Sequence, residues 1–122
     1  MRHSYPIDQA IRLDPTTEGA YLSRCMAYLG AGQTDLAIRD CDEALRQSPG
    51  WDAVLDARGK AYTAKGQYEQ AIRDLNEAIR IRPIYRNWYL DRGRAYLASG
   101  QREKADADFA TYREMQTLRA ID

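Results

Sequence analysis

The side chains able to do chemistry are few and poorly grouped. The single histidine, His3, stands almost at the start of the chain, and a ligand or general base needs neighbours held in place, which a fraying end does not supply. Gly30-Ala31-Gly32 contains a GxG, but a phosphate loop needs a strand before it and a helix after it. Both flanks here have helical periodicity, so the segment reads as a turn ending a helix. Cys25 and Cys41 are not in a CxxC arrangement, and two cysteines do not make a disulfide framework. There is no HExxH, no Walker-type loop and no Ser/His/Asp set. Catalysis is not expected, and neither a cofactor nor a metal is expected.

What does recur is a charged couple. Arg24 and Asp40, Arg58 and Asp74, and Arg92 and Asp108 are separated by one identical step along the chain. Arginine suits paired and partly buried ionic contacts better than lysine, and 15 of the 18 basic residues are arginine. Each couple is expected to form an ion pair that clips two helices together.

Those couples ride on a longer period. Tyr21-Leu22-Ser23-Arg24-Cys25-Met26-Ala27-Tyr28 aligns without gaps with Leu55 to Tyr62 and again with Tyr89 to Tyr96. The interval from Tyr28 to Tyr62 is also the interval from Tyr62 to Tyr96. Gly32, Gly66 and Gly100 follow in register, as do Ala37, Ala71 and Ala105, then Pro49 and Pro83. Within each unit, apolar and small residues fall at three- and four-residue spacing, the mark of one helical face. Glycine ends the first helix by taking a left-handed conformation, and Pro83 stops the second, which runs from about Tyr68 to Arg82. No continuous β-branched alternation is present, so strands are not expected. Cys25 and Cys41 occupy packing slots filled elsewhere by Gly59 and Leu75. They read first as small apolar core residues, with an oxidised pair left open because the two slots lie on neighbouring helices. Tyr28, Tyr62 and Tyr96 read as packing residues rather than an aromatic cage, and Trp51 and Trp88 as seals at the junctions between units.

This run of aromatic or Leu, small residue, Tyr, Gly, Ala, large apolar residue, Ala and Pro, with a period of about 34 residues, resembles the tetratricopeptide repeat family. The resemblance covers roughly residues 5–119. It implies an all-α, right-handed superhelical solenoid of antiparallel helix-turn-helix repeats: a single domain over 1–122, with a half repeat at 5–17 and full repeats at 18–51, 52–85 and 86–119. The last helix carries Asp106 and Arg113 where earlier units carry large apolar residues, which fits a solvent-facing cap. The first unit lacks its leading helix, which points to a fragment of a longer array or an end that docks elsewhere.

In this family the first helices of successive repeats line a concave groove that holds a peptide or a helix. The register places Leu22, Met26 and Leu29 there from the first repeat, then Asp56, Ala57, Lys60 and Thr63, then Asn87, Leu90, Asp91, Arg94 and Leu97. Lys60 and Arg94 either contact carboxylates of a ligand or are held by Asp56 and Asp91 along their own helices. Relatives that clamp the carboxylate tail of heat-shock chaperones need Lys, Asn and Arg in slots that here hold Leu22, Met26, Ala57, Asn87 and Asp91, which argues against that partner. The expected role is a non-catalytic scaffold binding a protein or peptide segment. Alternatives are self-assembly through Ile7, Ala10 and Ile11 of the incomplete repeat, giving a homo-oligomer, or regulation within a larger protein.

Composition adds exclusions. Eighteen basic residues balance eighteen acidic ones, so nothing pulls the whole chain toward nucleic acid or an anionic membrane. No apolar run approaches the roughly 18 residues of a membrane span. The compartment stays open, with the cytoplasm favoured and the periplasm allowed if a leader has been removed.

Overall fold

Hairpin turns set the architecture. In each unit the first helix ends on a glycine at positive φ: Gly32 at 77°, Gly66 at 85° and Gly100 at 83°. The following glutamine then donates its backbone N–H back into the helix. Gln33 bonds Tyr28 O at 2.9 Å, Gln67 bonds Tyr62 O at 2.9 Å and Gln101 bonds Tyr96 O at 2.8 Å. This six-to-one closure satisfies carbonyls that a helix end leaves open. The same glutamine carbonyls accept from Ala37, Ala71 and Ala105 at 3.0–3.1 Å, opening the next helix. One residue type therefore stops one helix and starts another, and the chain reverses within a short turn.

The computed structural model describes residues 5–13 and 19–121; His3 and the stretch 14–18 lie outside the described residues. These form α1 (Tyr5–Leu13), α2 (Ala20–Gly30), α3 (Thr34–Gln47), α4 (Asp52–Lys65), α5 (Tyr68–Ile81), α6 (Arg86–Ala98) and α7 (Arg102–Ile121). There is no strand among the described residues. Helices α2 and α3, α4 and α5, and α6 and α7 pair as hairpins, and each stacks on the one before. The result is the helical-repeat solenoid expected from the sequence period. On α1, Ile11 is buried and Ile7 and Ala10 are half-buried, so α2 already covers much of the face that the incomplete unit was expected to leave open.

Packing follows a small-against-large rule inside each hairpin. Ala37, Ala71 and Ala105 are fully buried, letting the backbones approach. Gly59 sits so close to Leu75 that a Cβ would meet its Cγ at 3.0 Å, and a Cβ on Gly93 would meet Phe109 Cε1 at 2.6 Å. The first hairpin fills the same slot pair with Cys25 and Cys41, both fully buried and joined as a disulfide with Cα atoms 5.9 Å apart. Their reading as reduced core residues is corrected here. Slots that bring glycine against a large side chain also bring two Cβ atoms within bridging reach.

Trp88 takes the position held by Ala20 and Val54 in earlier units. It is buried against Leu55 and Ala78, with Leu45, Ala53 and Ile79 around them, so it closes the junction between the second and third hairpins. Trp51 packs instead at the edge of the core built on Cys25, Ala37 and Val54.

The arginines run across the stack as a ladder. Arg24 donates from Nε and Nη2 to both oxygens of Asp40 at 2.7 Å. Arg58 does the same to Asp74 at 2.8 Å, and Arg92 to Asp108 at 2.7–2.8 Å. The third nitrogen of each fork, Nη1, reaches the preceding unit: Asp8 at 3.0 Å, Asp42 at 2.8 Å and Asn76 at 2.9 Å. Tyrosine rings flank each guanidinium, Tyr21 and Tyr28 at 5.8 Å from Arg24, Tyr62 at 5.7 Å from Arg58, and Tyr89 and Tyr96 at 5.7 Å from Arg92. Every arginine thus ties its own hairpin and also ties that hairpin to its neighbour. The rigid, planar five-donor fork is what permits both.

Candidate functional site: a cleft across three first helices

The leading helices of the three hairpins, α2, α4 and α6, face one cleft of about 550 Å³. Leu22, Met26, Leu29 and Gly30 line one end, Ala53, Asp56, Ala57 and Lys60 the middle, and Asn87, Leu90, Asp91 and Arg94 the far side, with Tyr85 and Trp88 beside them. Ten of the twelve residues that the register assigned to the groove share this cleft. The other two do not line it. Thr63 turns its hydroxyl back to donate to Gly59 O at 2.9 Å, a bond within its own helix, and Leu97 stands exposed toward the end of α6.

Met26, Lys60 and Arg94 occupy one slot in three successive repeats, because they are spaced by the repeat length. They form a row along the cleft, apolar at one end and cationic at the other two positions. Met26 is 56 % exposed, and the Lys60 and Arg94 side chains are 44 % and 65 % exposed. Beneath the cations lie two carboxyls, Asp56 and Asp91, each 6 % exposed. Lys60 Nζ lies 3.3 Å from Asp56 Oδ2 and 3.8 Å from Asp91 Oδ2, so it bridges two repeats. Arg94 keeps one long contact to Asp91, 3.8 Å.

Two acids meeting out of water cannot both ionise cheaply. Burial, followed by the hydrogen bond and the charge of Asp91, pushes the Asp56 carboxyl up to about 9. Asp56 Oδ1 is buried and receives no hydrogen bond from a protein donor. A proton on Asp56, donated to Asp91, accounts for both observations. Burial works to lower the Lys60 pKa, but the adjacent Asp56 and Asp91 carboxyls outweigh it and raise it above the usual value. The cleft floor therefore carries less negative charge than two ionised carboxylates would give it, beneath two cations.

The neighbourhood of Asp56 and Asp91 was not evident from sequence, because they hold different slots in their repeats and are not one repeat length apart. The acceptors Asp8, Asp42 and Asn76 of the ladder were also missed, although they do obey that spacing and were there to be found. Among the described residues no group of three or more His, Cys, Asp or Glu is arranged to hold a metal, and no helix is long and apolar enough to cross a membrane.

Three stacked helical hairpins with a cleft along their leading helices define the class as a helical-repeat solenoid. A family model described as TPR repeat matches residues 59–100, and the sequence period and the fold carry the same helical hairpin through the neighbouring units. Solved structures agree on the fold. "Crystal structure of MamA" superposes with a TM-score of 0.85 at 23 % identity, covering 98 % of this chain and 70 % of that one. "MamA 41-end from Desulfovibrio magneticus RS-1" gives 0.86 at 19 % identity, over 96 % and 66 %. "Second TPR of Spaghetti (RPAP3) bound to HSP90 peptide SRMEEVD" gives 0.73 at 22 % identity, over 94 % and 99 %. No curated protein matches the chain by sequence.

Proposed function

We propose that the protein is a non-catalytic scaffold that binds an extended peptide or a helix of a protein partner in the cleft formed by α2, α4 and α6. The observation that carries this reading is the cleft itself. It spans three repeats and combines exposed apolar side chains such as Met26 with unburied cationic heads at Lys60 and Arg94. Rigid helices position these groups, while their identities vary from repeat to repeat, as suits recognition rather than packing. A chaperone tail of the kind named for the RPAP3 domain is a poor fit, because Leu22, Met26 and Ala57 offer no donor side chain for its terminal carboxylate.

The test is a map of binding. The full chain labelled with ¹⁵N is titrated with peptides recovered from a displayed random library. Resonance changes confined to the inner faces of α2, α4 and α6 are expected. Changes confined to α1, to α7 or to the outer helices would reject the cleft as the binding surface.

A further inference from the structure

We infer that the cleft selects a partner segment carrying a carboxylate side chain, set against Lys60 and Arg94, with a large apolar side chain a few residues away on Leu22, Met26 and Leu29. This rests on the cleft being the binding surface and adds the chemistry of what binds. Asp56 and Asp91 lie at the bottom, 6 % exposed, beneath the bridging Lys60, whereas the Lys60 and Arg94 side chains are 44 % and 65 % exposed. An arriving ligand meets cations first. A basic ligand would have to displace Lys60 from two carboxyls at 3.3 and 3.8 Å and pass Arg94. A wholly apolar ligand would cover both cationic heads without replacing their water, which is costly.

Hydrogen-bonding capacity points the same way. Arg94 has five N–H donors and, among the described residues, a single 3.8 Å ionic contact to Asp91; Lys60 has three donors and the two contacts above. The charged groups facing Asp56 are Lys60 on its own helix and Asp91 on α6, with Arg94 beyond. The α2 wall brings Leu22, Met26, Leu29 and Gly30, none of them charged. Because burial beside Asp91 favours the protonated form of Asp56, the two cations face less than two negative charges, a local surplus of positive charge on a chain whose formal net charge is +0. A carboxylate completes that set, and forked Arg–carboxylate contacts are among the stronger charge-assisted bonds.

Spacing follows from the row of Met26, Lys60 and Arg94. Packed helices lie roughly 8–10 Å apart, and an extended chain rises about 3.3 Å per residue. The apolar and acidic side chains of the ligand should therefore stand about two to four residues apart.

The experiment selects phage-displayed random decapeptides on the full chain at neutral pH, then measures synthetic winners by fluorescence anisotropy. Winners are expected to pair Asp or Glu with Leu, Ile, Met or Phe at that spacing. Changing the peptide Glu to Gln should weaken binding about tenfold, and Arg94→Gln should weaken the Glu peptide far more than the Gln peptide. Arg94 is mostly exposed, so that variant keeps its fold, and an unchanged circular dichroism melt verifies it. Winners that map to the cleft but are basic or uncharged, or that ignore Arg94→Gln and Lys60→Met, would overturn the carboxylate inference and leave the cleft reading standing. Winners mapping elsewhere, or no winners at all, would remove the cleft reading as well. Concentration-dependent dimerisation whose resonance changes fill the cleft would give it to a second copy and overturn the inference.

Discussion

Replacing Arg58 by leucine isolates the ladder's contribution to stability. The substitution removes two short bonds to Asp74, one to Asp42 and the contact with the Tyr62 ring. Their weights differ. The Asp74 side chain is 8 % exposed and that of Arg58 is 23 % exposed, so the variant strands a carboxylate largely out of water. Breaking a fully buried pair costs about 3–5 kcal/mol and an exposed pair about 0–1. The partly open geometry at Arg58 falls between, and leucine recovers some apolar contact, leaving a loss of about 2–3 kcal/mol. The Asp42 side chain is 53 % exposed, and Asp42→Ala should cost only about 0–1 kcal/mol. For a chain of this size 1 kcal/mol moves the melting midpoint by about 3–5 °C, so Arg58→Leu should melt roughly 8–12 °C lower. The assay is urea and thermal unfolding followed by circular dichroism at 222 nm. Arg58→Leu combined with Asp74→Leu should return to within about 1 kcal/mol of the parent, because well-packed apolar residues replace a buried pair at little net cost. A midpoint for Arg58→Leu that is unchanged or raised would refute the reasoning, and the three arginines would then be independent solvated charges.

Three further outcomes are expected. The Cys25–Cys41 bond closes a 16-residue separation, which in the chain-entropy account stabilises by about 3 kcal/mol; urea unfolding with reductant should show that loss, and Cys25→Ser with Cys41→Ser should abolish the reductant effect. Gly93→Ala should destabilise by about 1–2 kcal/mol despite its better helix propensity, because the new methyl meets the Phe109 ring. Gly30→Ala, with open space around it, should instead gain up to about 1 kcal/mol; equal effects from the two would contradict the small-against-large packing. The third concerns pH. Asp56 binds its proton more tightly folded than unfolded, so its contribution is full below its ordinary 3.8 and is lost as pH rises toward about 9. Asp56→Asn keeps a donor for Asp91 and should flatten the fall in stability across that window; the same slope in both proteins would mean that the proton is not held there.

The repeat period was enough to specify the helical hairpins and their order. It works because each local instruction recurs: Gly66 ends a helix, Pro83 ends the next, and Ala71 and Ala78 mark the buried face. Helix formation, turn chemistry and the burial stripe depend on neighbours within a few residues, so they are written in the linear order. The Arg58–Asp74 contact belongs to this category too, since its partners sit at fixed places in one hairpin. So does most of the cleft, because a regular stack carries equivalent slots onto one surface.

Contacts that cross between different slots are not written that way. Asp56 shares its position with Leu22 and Leu90, and Asp91 shares its own with Ser23 and Ala57, so periodicity gives no reason to pair them. Only the stacking of α4 against α6 brings two carboxyls together under Lys60, and only their common burial moves a proton onto Asp56. The cysteine bond was likewise open in the sequence and closed by the distance between two helices. By itself the sequence determined the repeat, the turns and the surface formed by the leading helices, because those follow from local periodicity. Tertiary structure decided the charge state of that surface, because desolvation and charge pairing depend on distance through space.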